Sequence, residues 1–350
     1  MIELTFSTEE ITGSRFAVSP LWEVVAARIQ LTRAAPDPVH RVWAGEVSDR
    51  VRSSEREWPM FSELVRPGSR IVPALVCPVP SLAMPDLPLE LASVRAQSAE
   101  FVRASLELVS EVRGPQVDRL RDEPEDGLRQ LADEVEAYWE TAVAPYWPRV
   151  LSLLEGEVLY RARRLAEGGV GHAFADLDPR IRWKGPTLRV PSKVVDGPRD
   201  LDGRGLVLTP SVFVHPGVWH ILSPLAPPTV RYPARGVGTL WERRTSAVPE
   251  ALAGVLGRTR ALLLSELDTP ASHGDLARRT GRSKASVSEA LTALRRAGLV
   301  SAHRTGRYVL HARTGVGEAL VAGVRPDPGA GAGAAKPADQ PTIGRSSGSS

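Results

Sequence analysis

Ser272-His273-Gly274-Asp275-Leu276-Ala277-Arg278-Arg279-Thr280-Gly281-Arg282-Ser283-Lys284-Ala285-Ser286-Val287 reads as a short helix, a tight turn and the start of a second helix. Ser272 and Asp275 have the Ser-x-x-Asp spacing of a helix start. Gly281 closes that helix, because so short a turn needs a residue tolerant of positive φ. The following helix is expected from Ser283 or Lys284 to Ala297, ended by Gly298. Ala277 is small where the helices meet and Val287 packs back, while Leu276, Ala290, Leu291 and Leu294 complete the shared core. The Ala, Gly, Val spacing of four and then six residues is the helix-turn-helix pattern. Upstream, residues 255–267 predict a further helix with Leu256, Leu263 and Leu267 on one stripe. Downstream, Leu299-Val300-Ser301-Ala302-His303-Arg304-Thr305-Gly306-Arg307-Tyr308-Val309-Leu310 gives two β-prone runs around a Thr-Gly turn flanked by arginines. That is a hairpin with a cationic tip, the wing of a winged helix.

From Leu256-Gly257-Arg258-Thr259-Arg260 to Thr314-Gly315-Val316-Gly317-Glu318-Ala319-Leu320, the module resembles the ArsR-type winged helix-turn-helix repressors. The resemblance implies a transcriptional regulator that binds operator DNA as a homodimer. Ser19-Pro20-Leu21-Trp22-Glu23, Pro210-Ser211-Val212-Phe213 and Tyr232-Pro233-Ala234-Arg235-Gly236 are similar to landmarks of high-GC bacterial regulators with a long N-terminal domain of unknown role. Two departures matter. Metal-sensing members carry two cysteines on the helix corresponding to 275–280, where this chain has none, and Ala290 stands where the family usually has histidine. Metal sensing there is not expected, and DNA binding is unaffected.

With Val287, Leu291 and Leu294 facing inward, Lys284, Ala285, Ser286, Ser288 and Glu289 face outward near the start of the helix. In a major groove, Ser286 and Ser288 can bond base edges or phosphates, Lys284 suits guanine or phosphate, and Glu289 can accept from cytosine. Thr292, Arg295 and Arg296 are placed to meet backbone phosphates, and Arg304 and Arg307 on the wing to meet phosphates or the minor groove.

Charge distribution agrees. Residues 250–325 hold twelve Arg/Lys against six Asp/Glu, whereas residues 1–249 hold thirty against thirty-three. The basic excess therefore sits in the C-terminal segment, which favours a polyanionic partner there. Arginine outnumbers lysine throughout, forty to four, so that preference says little about DNA. The single cysteine, Cys77, forbids an internal disulfide and a multi-thiolate metal site. It lies in an apolar run before Pro78 and is expected to be a small buried hydrophobe. Met1 to Phe6 lacks a basic stretch followed by an apolar core, so no signal peptide is expected. No run of about eighteen apolar residues exists. A cytoplasmic location without a membrane partner is expected.

The expected fold class is α+β, with residues 1–170 mainly helical, 171–248 a small antiparallel β region, 249–325 the winged helix and 326–350 a disordered tail. Ser7-Thr8-Glu9-Glu10 has capping-box spacing. Near Pro20 a helix should start with Leu21, Val24, Val25 and Ile29 on one face. Residues 67–88 should be an ordered extended connection, and 91–112 and 127–165 helical, the latter broken at Pro145 and Pro148. Short β-prone runs at 187–190, 205–208, 212–214, 218–222 and 229–232 alternate with Gly and Pro turns. Gly168-Gly169-Val170-Gly171-His172 lacks Walker and dinucleotide-binding order and reads as a flexible linker. His215 and His220 lack a carboxylate or cysteine at ligand spacing and read as structural. Eighteen of nineteen aromatic residues precede residue 250, as core or as the lining of an apolar ligand pocket. No metal, cofactor or catalytic residue is expected. The expected partners are double-stranded operator DNA, a second copy of the chain and, as a candidate, a small-molecule effector. An enzyme carrying a winged-helix appendage for dimerisation, such as a methyltransferase, is the alternative. The missing cofactor loop disfavours it.

Overall fold

The computed structural model describes residues 1–35, 37–54, 57–69, 71–109, 111–223, 225–241, 250–267, 271–305 and 308–323, with backbone alone at 239, 275, 303–305, 308 and 322. The expected tail at 326–350 lies outside these residues. In chain order the elements begin β1 (Ile2–Thr5), α1 (Thr8–Gly13), β2 (Arg15–Phe16), α2 (Pro20–Leu31), α3 (Arg41–Ser53) and α4 (Pro59–Leu64). Helices α5 (Leu87–Arg95), α6 (Ala99–Glu107), α7 (Pro115–Asp122), α8 (Pro124–Ala142) and α9 (Trp147–Phe174) follow. Next come β3 (Arg182–Lys184), β4 (Thr187–Val190), β5 (Gly197–Arg199), β6 (Val207–Ser211), β7 (Trp219–Ile221) and β8 (Thr229–Pro233). The C-terminal part holds α10 (Glu250–Leu256), α11 (Arg258–Glu266), β9 (Ala271–Ser272), α12 (His273–Thr280), α13 (Lys284–Arg296), β10 (Val300–Thr305), β11 (Tyr308–Arg313) and α14 (Gly315–Ala322). The chain is mixed α+β.

Local signals start the helices. Ser7 and Glu10 form a reciprocal capping box, with Glu10 N donating to Ser7 Oγ (3.2 Å) and Ser7 N to Glu10 Oε2 (2.8 Å). Ser19 caps α2 through Trp22 N (3.0 Å), with Pro20 fixing the first turn. Ser98 caps α6 and splits the helix expected over 91–112 into two. The long helical stretch divides where expected: α8 ends at Ala142, and α9 takes Pro148 in its first turn. Residues 67–86 run as a connection with one short helical turn, Ala74–Val76. Trp22, Trp43 and Trp58 are fully buried, and Trp43 packs on Phe213 at 4.4 Å between ring centres. These rings are core.

The β region differs from the expected small antiparallel sheet. It forms two mixed four-stranded sheets, in the orders β3-β4-β1-β5 and β2-β6-β8-β7. Each recruits a strand from the first sixteen residues. β1 runs antiparallel to β4 and parallel to β5, while β2, β6 and β8 are mutually parallel and β7 closes the edge antiparallel. For the β2-β6-β8-β7 sheet the physical reason is burial on both faces. Every residue of β6 and the first four of β8 are buried, so these strands lack the alternation that marks a one-sided antiparallel sheet. Residues 212–214 are not a strand, because the Val212 and Phe213 amides turn to Glu23.

The expected linker at Gly168-Gly169 is instead a kink inside α9, with φ −153° and +69°. Arg161, fully buried, clamps the chain across it. Its Nε donates to Glu157 (2.6 Å) and its Nη1 to Ala173 O (3.1 Å) and to Asp176. The single helix expected over 255–267 is likewise two, separated by Gly257 at φ +80°. An apolar stripe continues through this break, so periodicity alone does not reveal it.

Candidate nucleic-acid interface

Gly281, at φ +64°, ends α12, and Arg282 N reaches back to Ala277 O (3.2 Å), the six-to-one bond of a Schellman cap. Two residues later Ser283 Oγ accepts from Ser286 N (3.2 Å) and starts α13. The turn is thus specified at both ends. Val287, Ala290, Leu291 and Leu294 fasten α13 to a core that includes Leu263, Leu264, Leu267, Leu276 and Leu299. Gly298, at φ +70°, ends the helix, with Leu299 N donating to Leu294 O (3.0 Å) and both leucines buried.

The opposite face of α13 is presented to solvent. Lys284, Ser288, Glu289, Thr292, Arg295 and Arg296 are exposed and Ser286 is partly so, which brings seven of the nine expected contact residues onto one surface. Thr292 Oγ1 donates to Ser288 O (2.8 Å), leaving its lone pairs free to accept. Arg295 and Arg296 occupy the last turn, where cations complement the helix dipole. With Thr292, Val300, Ser301 and Ala302 they line an open groove between α13 and β10. Among the described residues that line it the only charges are positive, so it suits an anion. β10 and β11 form the expected hairpin in the register Val300↔Arg313 to Thr305↔Tyr308, and β9 extends it to the order β10-β11-β9. Backbone pairing places Arg304 opposite Val309. The Arg304 side chain, Arg307 and the Asp275 carboxylate lie outside the described residues.

Sequence reading missed a histidine pair under this surface. His273, the first residue of α12, and His311, buried in β11, meet at 3.2 Å between Nδ1 and Nε2 with perpendicular rings. They are separated by 38 residues, so no local pattern joins them. Burial first, then His273 and Arg295, push His311 down to about 4; burial and Arg295 lower His273 also. A histidine depressed in the folded state stabilises above its unfolded value, about 6.5, and that contribution is lost as pH falls toward 4. We expect the His311 imidazole to remain neutral down to about pH 4 in an NMR titration. A midpoint near 6.5 would show that the pair is not desolvated.

The three N-terminal landmark stretches also come together. Glu23 accepts from Val212 N (3.2 Å) and Phe213 N (3.1 Å), and Trp22 Nε1 donates to Ser211 Oγ (3.1 Å). Ala234 N donates to Ser211 O (2.9 Å). Arg231, from the strand before the third landmark, lies over the Trp22 ring at 4.0 Å and donates to Cys77 O (3.2 Å). Cys77 is buried and burial pushes its thiol up, away from the reactive thiolate. His215 faces Asp37 (3.4 Å) and His220 bonds Ser192 Oγ (2.9 Å). Among the described residues no group of three or more His, Cys, Asp or Glu is placed to hold a metal, and no helix is long and apolar enough to cross a membrane. Compared with family models, curated proteins and solved structures, the chain matches none.

Proposed function

We propose that the chain is a sequence-specific DNA-binding transcriptional regulator whose residues 249–325 form a winged helix-turn-helix. One observation carries this reading. The exposed face of α13, held rigidly by caps at both ends, shows seven polar side chains beside a hairpin and a groove with only positive charge. In this reading α13 enters the major groove, Arg295 and Arg296 meet phosphates, and the hairpin is the wing. A second copy doubles the base contacts, as specific affinity usually requires. Val255 (78% exposed) and Val316 (65%) leave apolar surface on α10 and α14 for such a pairing. The N-terminal region is the sensing or assembly part, with a small-molecule effector as candidate input. Trp241, where its described chain stops, is anchored by His40 Nδ1 (3.1 Å) and packs on Trp43 and Phe213. A rearranged core would therefore reach the connection to α10.

Selection of binding sites from a random duplex library by the full chain tests the reading. An enriched near-palindromic sequence is expected, and enrichment of nothing would refute it. Ser286→Ala and Ser288→Ala should alter the preferred sequence by about 1–3 kcal/mol per lost base contact, with little change in non-specific affinity. Identical selected sequences for wild type and both variants would remove these serines from the interface.

A further inference from the structure

The sheet β3-β4-β1-β5 buries one face, through Ile2, Leu4, Leu188 and Val190, with Trp183 half-buried on the same side. The two-residue period of a strand then places Arg182, Lys184, Thr187, Arg189, Glu3 and Thr5 on the other face. Register sets Arg182 directly opposite Arg189, and Lys184 opposite Thr187. Like charges facing across a strand pair are destabilising. Here Glu3 alone answers, bonded to Arg189 Nε at 3.0 Å. Arg182 and Lys184 are exposed and have no ion-pair partner among the described residues. Lys193, just beyond, is exposed as well. Residues 182–199 hold five Arg/Lys against one Asp, inside an N-terminal region that is net acidic. Strand spacing of about 4.8 Å and a repeat of about 7 Å put the three β3–β4 cations within roughly 10 Å of one another. That is about one Debye length at physiological salt, so their fields add.

We infer that this sheet face is a second surface for the DNA phosphate backbone, engaging duplex that flanks the site read by α13. The inference rests on the DNA-binding reading above. α9 lies against both β3 and β9, so the sheet and the C-terminal module adjoin one helix. The face is cationic and hydroxyl-bearing, with Thr5 and Thr187 in contact at 3.1 Å. Such a surface follows a backbone without reading bases.

The test compares the full chain on duplexes of about 20 and about 40 base pairs, two and four helical turns, at several salt concentrations. The longer duplex should show the steeper salt dependence. Arg182→Gln with Lys184→Gln should lower the slope on the long duplex by about 2 units, near 0.9 per phosphate contact, and leave the short one unchanged. Both side chains are exposed, so circular dichroism and melting should match wild type. Equal slopes on the two duplexes, untouched by the double variant, would overturn the inference and spare the α13 reading. Binding lost only through the sheet variant, and unmoved by substitutions on α13, would overturn the α13 reading and with it the flanking placement inferred for the sheet. Absence of any DNA binding would sink both. Binding to phosphatidylcholine–phosphatidylserine vesicles that the variant loses, with its DNA slopes unchanged, would assign the face to a membrane surface and overturn the inference.

Discussion

Glu23→Ala should lower the stability of the N-terminal region by about 4 kcal/mol, since each buried donor left without a partner costs about 1–3 kcal/mol. Glu23 is fully buried and receives the Val212 and Phe213 amides, which lose their acceptor once the carboxylate is gone. Denaturant unfolding of the full chain, followed by tryptophan fluorescence, reads the loss directly because the tryptophans all precede residue 250. The same residue predicts a pH dependence. Burial raises Glu23 to about 7 against the hydrogen bonds of Ser211, Phe213 and Val212 and the charge of Arg231. Glu90, which accepts from Ser19 Oγ and Leu21 N at 2.7 Å each, is likewise raised to about 7 by burial. A carboxyl raised in the folded state contributes stability that is complete below its unfolded value, near 4.5, and is lost as pH rises through about 7. The unfolding midpoint should therefore fall between about pH 5 and pH 8. Glu23→Gln should flatten part of that fall and cost less than alanine, because its Oε1 can still accept one amide. A pH-independent midpoint in wild type would mean that both carboxyls ionise freely inside the core.

What sequence could reveal follows the range of the interactions. The capping box at Ser7, the helix start near Pro20, the Gly281 turn and the polar face of α13 are set by residues within one or two helical turns, and all were legible. The partners of β1 and β2 were not. They lie about 180–195 residues downstream, and in the sheet of β2, β6, β8 and β7 burial of β6 and β8 on both faces removes the alternation that would betray the strands. Gly168-Gly169 and Gly257 were misread for opposite reasons. The first pair looked like a linker because Arg161, which spans it, sits a turn or two away and contacts residues beyond it. Gly257 was passed over because leucines on either side kept the apolar stripe. The basic sheet face was hidden by averaging, since its three cations, Arg182, Lys184 and Arg189, vanish within an acidic region of 249 residues. Only the register, which sets Arg182 beside Arg189, turns composition into a surface.

Charge reversal at the end of α13, Arg295→Glu with Arg296→Glu, should weaken binding to every duplex by at least about 60-fold near 0.1 M salt. Each phosphate contact releases about 0.9 counterion, worth roughly eightfold at that concentration, and the salt slope should fall by about 2 units. Repulsion by the introduced carboxylates adds to the loss. The two arginines are exposed, lie in the last turn of the helix and border a groove with no acid in its lining. Reversal there also opposes the helix dipole, which costs about 0.3–1 kcal/mol of local stability per charge. A melting curve must therefore accompany the titration, and Arg295→Gln with Arg296→Gln, which removes charge without opposing the dipole, separates the two effects. The glutamine variant should still lose the two units of slope. Sequence preference should survive in both variants, because the residues proposed to meet base edges, Ser286 and Ser288, stand about two turns earlier on the helix. If affinity fell while the slope stayed at its wild-type value, the arginines would be acting on the fold and not on phosphate. If the preferred sequence changed as well, Arg295 or Arg296 would reach into the groove of the duplex, and α13 would lie deeper in the DNA than its exposed face implies.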